Sequence, residues 1–447
     1  MTQMKNLKQL SKSLAVLFGC ISLATAQQPV PPLNLTACIS TLPCPKPNIA
    51  TTKLPLWSLN QLIYSGGFRI DNARTDSTSY STTNFSTGIF TIDTSKNSIF
   101  ISGHSAESQI AEYQLPTIVN TRNVSLFDVA TKNLQPFFLL HDPLNGFDTG
   151  ITEYFRVTGM EVIDGQLVVN YFNWYDANGN ETDTTSIFKD AYNLSNSKIV
   201  GPFQITGAAR AGGWLTPIPP EWQTELGGTY ISGWSKGSII SRLSNGPSGY
   251  IIPGTSMNLL TTSMSGQPLS SREALNFPLN NILYNTSIYS SIYDGSFDNN
   301  ERILLNQDRT NDLWTHLSDA VYGFIIPGTN TYVTIGWAAG IYSGIEYKLH
   351  RPDGTSCPGH CPIDPEDSHN YAWLWKVTDL IDVLNGHKQP YEIRPYEYGV
   401  IDTLGFKEAI TGGHFDPKTK KLYVSLALAD KSDQYGAAPL FFTYDVQ

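Results

Sequence analysis

Thr91-Ile92-Asp93-Thr94-Ser95-Lys96-Asn97-Ser98-Ile99-Phe100-Ile101-Ser102 is matched without a gap by His414-Phe415-Asp416-Pro417-Lys418-Thr419-Lys420-Lys421-Leu422-Tyr423-Val424-Ser425, close to the other end of the chain. Each stretch reads as a strand, an Asp-initiated polar turn and a second strand of β-branched and aromatic residues: a hairpin by composition and spacing. Weaker copies stand at Ile163-Asp164-Gly165-Gln166-Leu167-Val168-Val169, at Gly227-Gly228-Thr229-Tyr230-Ile231-Ser232 and at Pro327-Gly328-Thr329-Asn330-Thr331-Tyr332-Val333-Thr334. Successive copies lie about one or about two units of roughly 40–65 residues apart, loops included. A repeat of that size made of strands alone is a propeller blade. The expected fold is therefore all-β, a single β-propeller, with seven blades favoured over six on length. The matching first and last copies imply that the two chain ends meet to close the ring.

Helical signal is scarce between the copies. Thr378-Asp379-Leu380-Ile381-Asp382-Val383-Leu384-Asn385-Gly386 has a candidate cap, an apolar stripe and a terminal Asn-Gly, so it reads as one short helix. Pro219 to Gly227 reads as another turn or two. Composition agrees with an extracellular β-protein: charged residues are only 15%, aromatics 12%, with 36 Gly and 27 Pro. The formal net charge of −10 argues against general nucleic-acid binding.

The N-terminus carries an export signature. Lys5, Lys8 and Lys12 precede an apolar run from Leu14 to Leu23, and Ala24-Thr25-Ala26 is a small-residue cleavage pattern. Residues 1–26 are thus expected to be a signal peptide, and residues 27–55, rich in Pro, Thr and Asn, an extended lead-in. Residues 56–447 form the expected propeller and catalytic domain. The apolar run is too short for a permanent anchor, and no later stretch reaches about 18 apolar residues. Leu17-Phe18-Gly19-Cys20 is a loose lipoprotein box, and the bulky Phe18 argues against anchoring through Cys20. The mature chain keeps Cys38, Cys44, Cys357 and Cys361, for which an oxidising compartment makes disulfides the default. A secreted, extracellular or periplasmic monomer is expected.

Eight histidines make each placement informative. His104 follows the strand Ile99 to Gly103, and His141 ends the apolar run Phe137 to Leu140. Both positions suit strand ends facing a central cavity, and equally suit capping or packing. Alternation along Asn170-Tyr171-Phe172-Asn173-Trp174-Tyr175 puts Asn170 and Phe172 on one face, Tyr171 and Asn173 on the other. Tyr171, Asn173 and Tyr175, with Trp214, are candidate sugar-binding residues, because aromatic faces suit sugar rings. Arg210 lies amid small residues, from Gly207 to Gly213, that would let a carboxylate or sulfate approach its guanidinium; a structural ion pair is the alternative. Cys357, His360, Cys361 and His369 pack metal-type ligands within thirteen positions, readable as a structural zinc site or as a Cys357–Cys361 disulfide loop. No organic cofactor is expected.

Four phrases resemble exported bacterial propeller proteins. They are Ser98-Ile99-Phe100-Ile101-Ser102-Gly103-His104, Gly201-Pro202-Phe203, Gly213-Trp214-Leu215-Thr216-Pro217-Ile218-Pro219 and Lys388-Gln389-Pro390-Tyr391-Glu392-Ile393-Arg394-Pro395-Tyr396. The chain thereby resembles the propeller-type ulvan lyases, which degrade a sulfated algal polysaccharide by β-elimination. The resemblance implies a seven-bladed propeller, a site of histidines, a tyrosine and an arginine, and a structural zinc. Arg210 would then neutralise the uronate carboxylate as the enediolate develops. His104, His141 and Tyr192, with Tyr171 in reserve, would move the protons. The expected function is a polysaccharide lyase acting on an anionic, ulvan-like polymer. Two alternatives accompany it: a propeller glycoside hydrolase using two of Asp71, Asp142, Glu161 and Asp176, and a non-catalytic propeller binding a glycan or a protein.

Overall fold

The computed structural model describes residues 53–73, 81–140, 155–173, 182–235, 245–254, 268–291, 293–431 and 436–447. The signal peptide and almost all of the lead-in lie outside these residues. The described residues belong to one compact unit, Pro47–Gln447.

Five sheets carry the fold, antiparallel except where Val129–Ala130 adds in parallel to the edge of the fifth. The first blade is Phe90–Asp93, Ser98–Ser102, Gln109–Gln114 and Asn133–Leu139, from the inner strand outward. The second is Phe155–Ile163, Gln166–Asn173, Thr185–Phe188 and Ile199–Phe203. Trp214–Pro217, Tyr230–Gly233, Gly249–Ile252 and Arg272–Leu275 make the third. Asp319–Ile325, Thr331–Ala339, Ser368–Lys376 and Glu397–Val400 make the fourth. The fifth joins Ile410–Asp416, Lys421–Asp430 and Ala438–Val446 to Leu62–Ile70 from the other end of the chain. The first strands of the five blades touch in cyclic order, the fifth against the first, so the ring closes.

The propeller-like ring thus has five blades among the described residues, where seven were expected. The reason is visible in the hairpin copies: the five of them fall one to a blade, at its two innermost strands or the turn joining them. The wide gaps between copies are insertions. Helices Thr286–Tyr289 and Phe297–Leu304 fill the stretch between the third and fourth blades. In the fourth blade the connection from Ala339 to Ser368 carries its own small ladder, Ile345–Tyr347 against His360–Pro362.

The two strongest copies fold alike. Asp93 pairs with Ser98 and Asp416 with Lys421 in register. Asp93 Oδ1 accepts from the Ser95 amide at 2.9 Å, and Asp416 Oδ1 from the Lys418 amide at 3.0 Å. Asn97 and Lys420 take the same left-handed position, each with φ of 53°. The expected ring closure by the chain ends is observed, with Leu62–Ile70 antiparallel to Ala438–Val446. Both helices read from the sequence are present, as Pro220–Leu226 and Val377–Leu384.

The inner strands of the second and third blades run close enough to exclude side chains. A Cβ on Gly159 would stand 2.0 Å from the Gly213 carbonyl, and one on Gly213 2.0 Å from the Gly233 carbonyl. Here the small residues before Trp214 allow backbone to meet backbone.

Candidate ligand site at the channel mouth

All five inner strands point the same way along the channel, and the direction can be read from what lines its two ends. Ile89, Arg156, Val157, Thr158 and Thr411, at the N-terminal ends of inner strands, line a cavity of about 490 Å³. Phe324, Ile325, Phe415 and Pro417, at C-terminal ends, line a second space of about 110 Å³. Between them Trp214, Tyr322 and Met160 narrow the channel to a waist.

Four blades build the mouth cavity. The first gives Phe85, Ser86, Thr87, Ile89 and Ser105; the second adds Arg156 and Phe172, the third Trp234, the fifth Thr411, Ala427 and Leu428. Arg156 faces Phe172 in the hairpin register, and the Phe172 ring lies 5.9 Å from that of Trp234. The main chain fixes Trp234, whose amide donates to the Arg210 carbonyl at 2.8 Å and to Ser248 Oγ at 2.8 Å. Arg156 is half-buried, with Nη1 donating to the Phe155 carbonyl at 3.0 Å. Burial holds its guanidinium below its ordinary value, while an arginine remains charged at any physiological pH.

Below the waist a polar layer crosses the channel. Thr91 Oγ1 donates to Glu161 Oε2 at 3.3 Å and lies 3.2 Å from His414 Nδ1, which also accepts from the Ile92 amide at 3.4 Å. Glu161 meets the channel space yet protein surrounds it on every side. Burial, with Asp93 nearby, pushes its carboxyl up to about 8 against the pull of the Thr91 hydrogen bond. Burial pushes His414 down to about 4, so its imidazole is neutral near pH 7.

The expected site residues are not brought together. His104 sits at the rim beside Ser105, its ring edge-on to Phe85 and its Nδ1 accepting from the Ala106 amide at 3.2 Å, a local turn contact. Arg210 reaches across its own blade to Asn276 Oδ1 at 3.2 Å, and Asn276 donates in turn to Glu273. It does not line the cavity; Arg156 does. Tyr192 is at the other end of the channel, donating to Asp93 Oδ2 at 2.5 Å, where burial and that carboxylate push its phenol up to about 12. It cannot act on a guest held near His104.

Tyr171 is 1% exposed and packs edge-on against Phe155, so it is core rather than cleft. Trp214, 2% exposed, fills the waist. Asn173 is half-buried at the mouth end of its strand, paired with Phe155. His141 and Tyr175 lie outside the described residues.

The four candidate zinc ligands do not converge. Cys357 and Cys361 lie at disulfide distance, Cα to Cα 6.4 Å, which commits both thiols to each other. His360 packs on His316 with ring centres 4.1 Å apart, while His369 Nε2 meets Asp367 Oδ1 at 3.2 Å. Among the described residues no three His, Cys, Asp or Glu side chains gather as a metal site.

Sequence reasoning missed Arg156, Phe172 as a lining residue, and Trp234. A signal existed for the first: Arg156 opens the strand leading into the Ile163 hairpin copy, where an inner strand meets the mouth.

No family model matches the chain, and no curated protein matches it. Among solved structures, one that matches is a luciferin-regenerating enzyme, 8% identical, with a TM-score of 0.30, covering 88% of this chain and 95% of that one. The likeness to ulvan lyases rests on its short phrases alone.

Proposed function

We propose that the chain is an exported binding propeller whose mouth cavity takes one small molecule. The observation that carries this reading is the lining itself. A volume of about 490 Å³ is walled by Phe85, Ile89, Phe172, Trp234 and Leu428, with a single guanidinium among hydroxyls. That is the usual make-up of a small-molecule site: an apolar wall with a few placed polar groups. Export is supported by the basic and apolar N-terminal run and by the Cys357–Cys361 pair. No described helix is long and apolar enough to cross a membrane. The test is a thermal-shift screen of the full chain against a small-molecule panel, repeated on Ala427→Trp, which fills the cavity. Hits that raise Tm in the parent and vanish in the variant support the reading; hits indifferent to the variant overturn it.

The lyase is the second reading, favoured by one observation: a guanidinium at the mouth, close to the rim that holds His104. Arg156 takes the neutralising role expected of Arg210, and a uronate terminus is the substrate. Absorbance of unsaturated uronate after mixing the protein with ulvan decides it. A rise that Arg156→Met removes supports the lyase, and no rise with ulvan or other uronate polymers sinks it.

A further inference from the structure

Two side chains at the mouth cavity are held in a backbone conformation that bulky residues seldom adopt. Among the described residues three large apolar ones have a left-handed φ: Phe85 at 55°, Leu404 at 57° and Leu428 at 59°. Phe85 and Leu428 both line the cavity. Hydrogen bonds and strand pairing fix each of them. The Phe85 amide donates to the Ala437 carbonyl at 2.9 Å, and the Phe85 carbonyl accepts from the Ser105 amide at 3.0 Å. Around Leu428 the ladder with the last strand reaches Leu426 opposite Leu440 and resumes at Asp430 opposite Ala438. Ala427, Leu428 and Ala429 therefore stand against Pro439 alone, which has no N–H to give the ladder. A bulge of this kind re-aims a side chain, and here Leu428 reaches the cavity.

Core packing does not account for the strain, since Phe85 is 46% exposed and Leu428 39%. Strained backbone gathers at ligand clamps, and apolar contact with a guest gives these two positions a use. The rest of the wall says what the guest is. Ile89, Val157, Phe172 and Ala427 offer carbon and ask for carbon in return. The charged member of the lining, Arg156, already donates to the Phe155 carbonyl, and the formal net charge of −10 repels anions. Resting on the reading that this cavity is the ligand site, we infer that its guest is a small uncharged apolar molecule gripped by Phe85 and Leu428. A charged guest would give up its hydration to a wall of carbon.

The experiment is fluorescence titration of the full chain with two probes that differ by one charged group: N-phenyl-1-naphthylamine, which is uncharged, and 8-anilinonaphthalene-1-sulfonate. The uncharged probe is expected to bind at least about tenfold tighter, because the sulfonate must be stripped of water. Phe85→Asn and Leu428→Asn install a residue that tolerates the left-handed backbone, so the fold is kept. Each is expected to weaken the uncharged probe roughly fivefold, the worth of the apolar area withdrawn. Any smaller preference for the uncharged probe in the parent protein overturns the inference without needing a variant, and so does unchanged affinity in either Asn variant. In those two cases loss of the probes in Ala427→Trp keeps the cavity reading standing. Binding of neither probe, or binding that Ala427→Trp leaves untouched, overturns the inference and the cavity reading together.

Discussion

At the mouth, the inner strands begin with Arg156 and Thr411 around an open cavity; past the waist the same strands carry Glu161, His414 and Thr91 bonded to one another. The mouth keeps a charge in a partly apolar setting. The deeper layer pairs its polar atoms and suppresses their charges. On the proposed reading one end receives a guest, while the other serves the strands themselves. Five strands of one design therefore serve two ends with different tasks, and the difference lies in a handful of side chains.

The comparison breaks most visibly at the waist between them. Trp214→Ala is expected to cost ~3–5 kcal/mol, because the indole is fully buried and its neighbours cannot collapse onto the gap. Denaturant unfolding measures it, and a loss under ~1 kcal/mol would mean that the waist does not hold the ring.

Next comes the deeper layer. Glu161 ionises at its ordinary 4.5 in the unfolded chain and at about 8 when folded, so the unfolded chain releases the proton first. Stability is then lost as pH rises from about 4.5 to about 8. His414 works in the opposite sense. The unfolded chain takes up its proton near 6.5 and the folded chain only near 4, so stability is lost as pH falls through that range. Between 4.5 and 6.5 the two slopes oppose. Glu161→Gln is expected to gain ~1–2 kcal/mol at pH 8 relative to pH 4.5, the lower part of the range for buried carboxyls. It also leaves stability rising with pH from 4.5 to 6.5. Unfolding curves of parent and variant that stay parallel over pH would remove the layer's distinctiveness.

At the mouth the same kind of substitution should do little to the fold. Arg156→Met is expected to cost about 1 kcal/mol, the worth of its hydrogen bond to the Phe155 carbonyl. A drop of several degrees in Tm would make the arginine structural and sharpen the contrast the wrong way. The smallest effect belongs to the turns that end the inner strands. Lys420 holds a left-handed conformation that Asn97 holds in the matching turn. Lys420→Asn should stabilise by ~0.5 kcal/mol, because a short polar side chain tolerates this region better. Asn97→Lys should cost a similar amount, both read from thermal unfolding.

The hairpins were legible because a turn is written locally: Asp93 and Asp416 cap their turns with their own side chains, and strand composition flanks them. Ring closure followed from the likeness of the first and last copies. Seven blades were expected and five stand among the described residues, because inserted helices and the Ala339–Ser368 connection widen the repeat without adding a blade there. The site was less legible for a different reason. Blades are covered on both faces, so the strand Gln166–Asn173 is buried at seven of eight positions. Alternation then separates two buried faces, and cannot distinguish Tyr171 in the core from Phe172 at the cavity. Arg210 and Arg156 each precede an inner strand or open one. Only the fold tells that the first turns toward Asn276 and the second to the mouth.

The last blade has a consequence for how this molecule is made. Leu62–Ile70 is synthesised before every other strand described, and its antiparallel partner Ala438–Val446 after all of them. Manufacture thus runs in the opposite sense to assembly at that seam, and the opening strand must wait through the production of every other blade. A chain stopped before Ala438 has four blades and the paired strands Ile410–Asp416 and Lys421–Asp430, with Leu62–Ile70 lacking its antiparallel partner. Closure of the ring waits on Ala438–Val446.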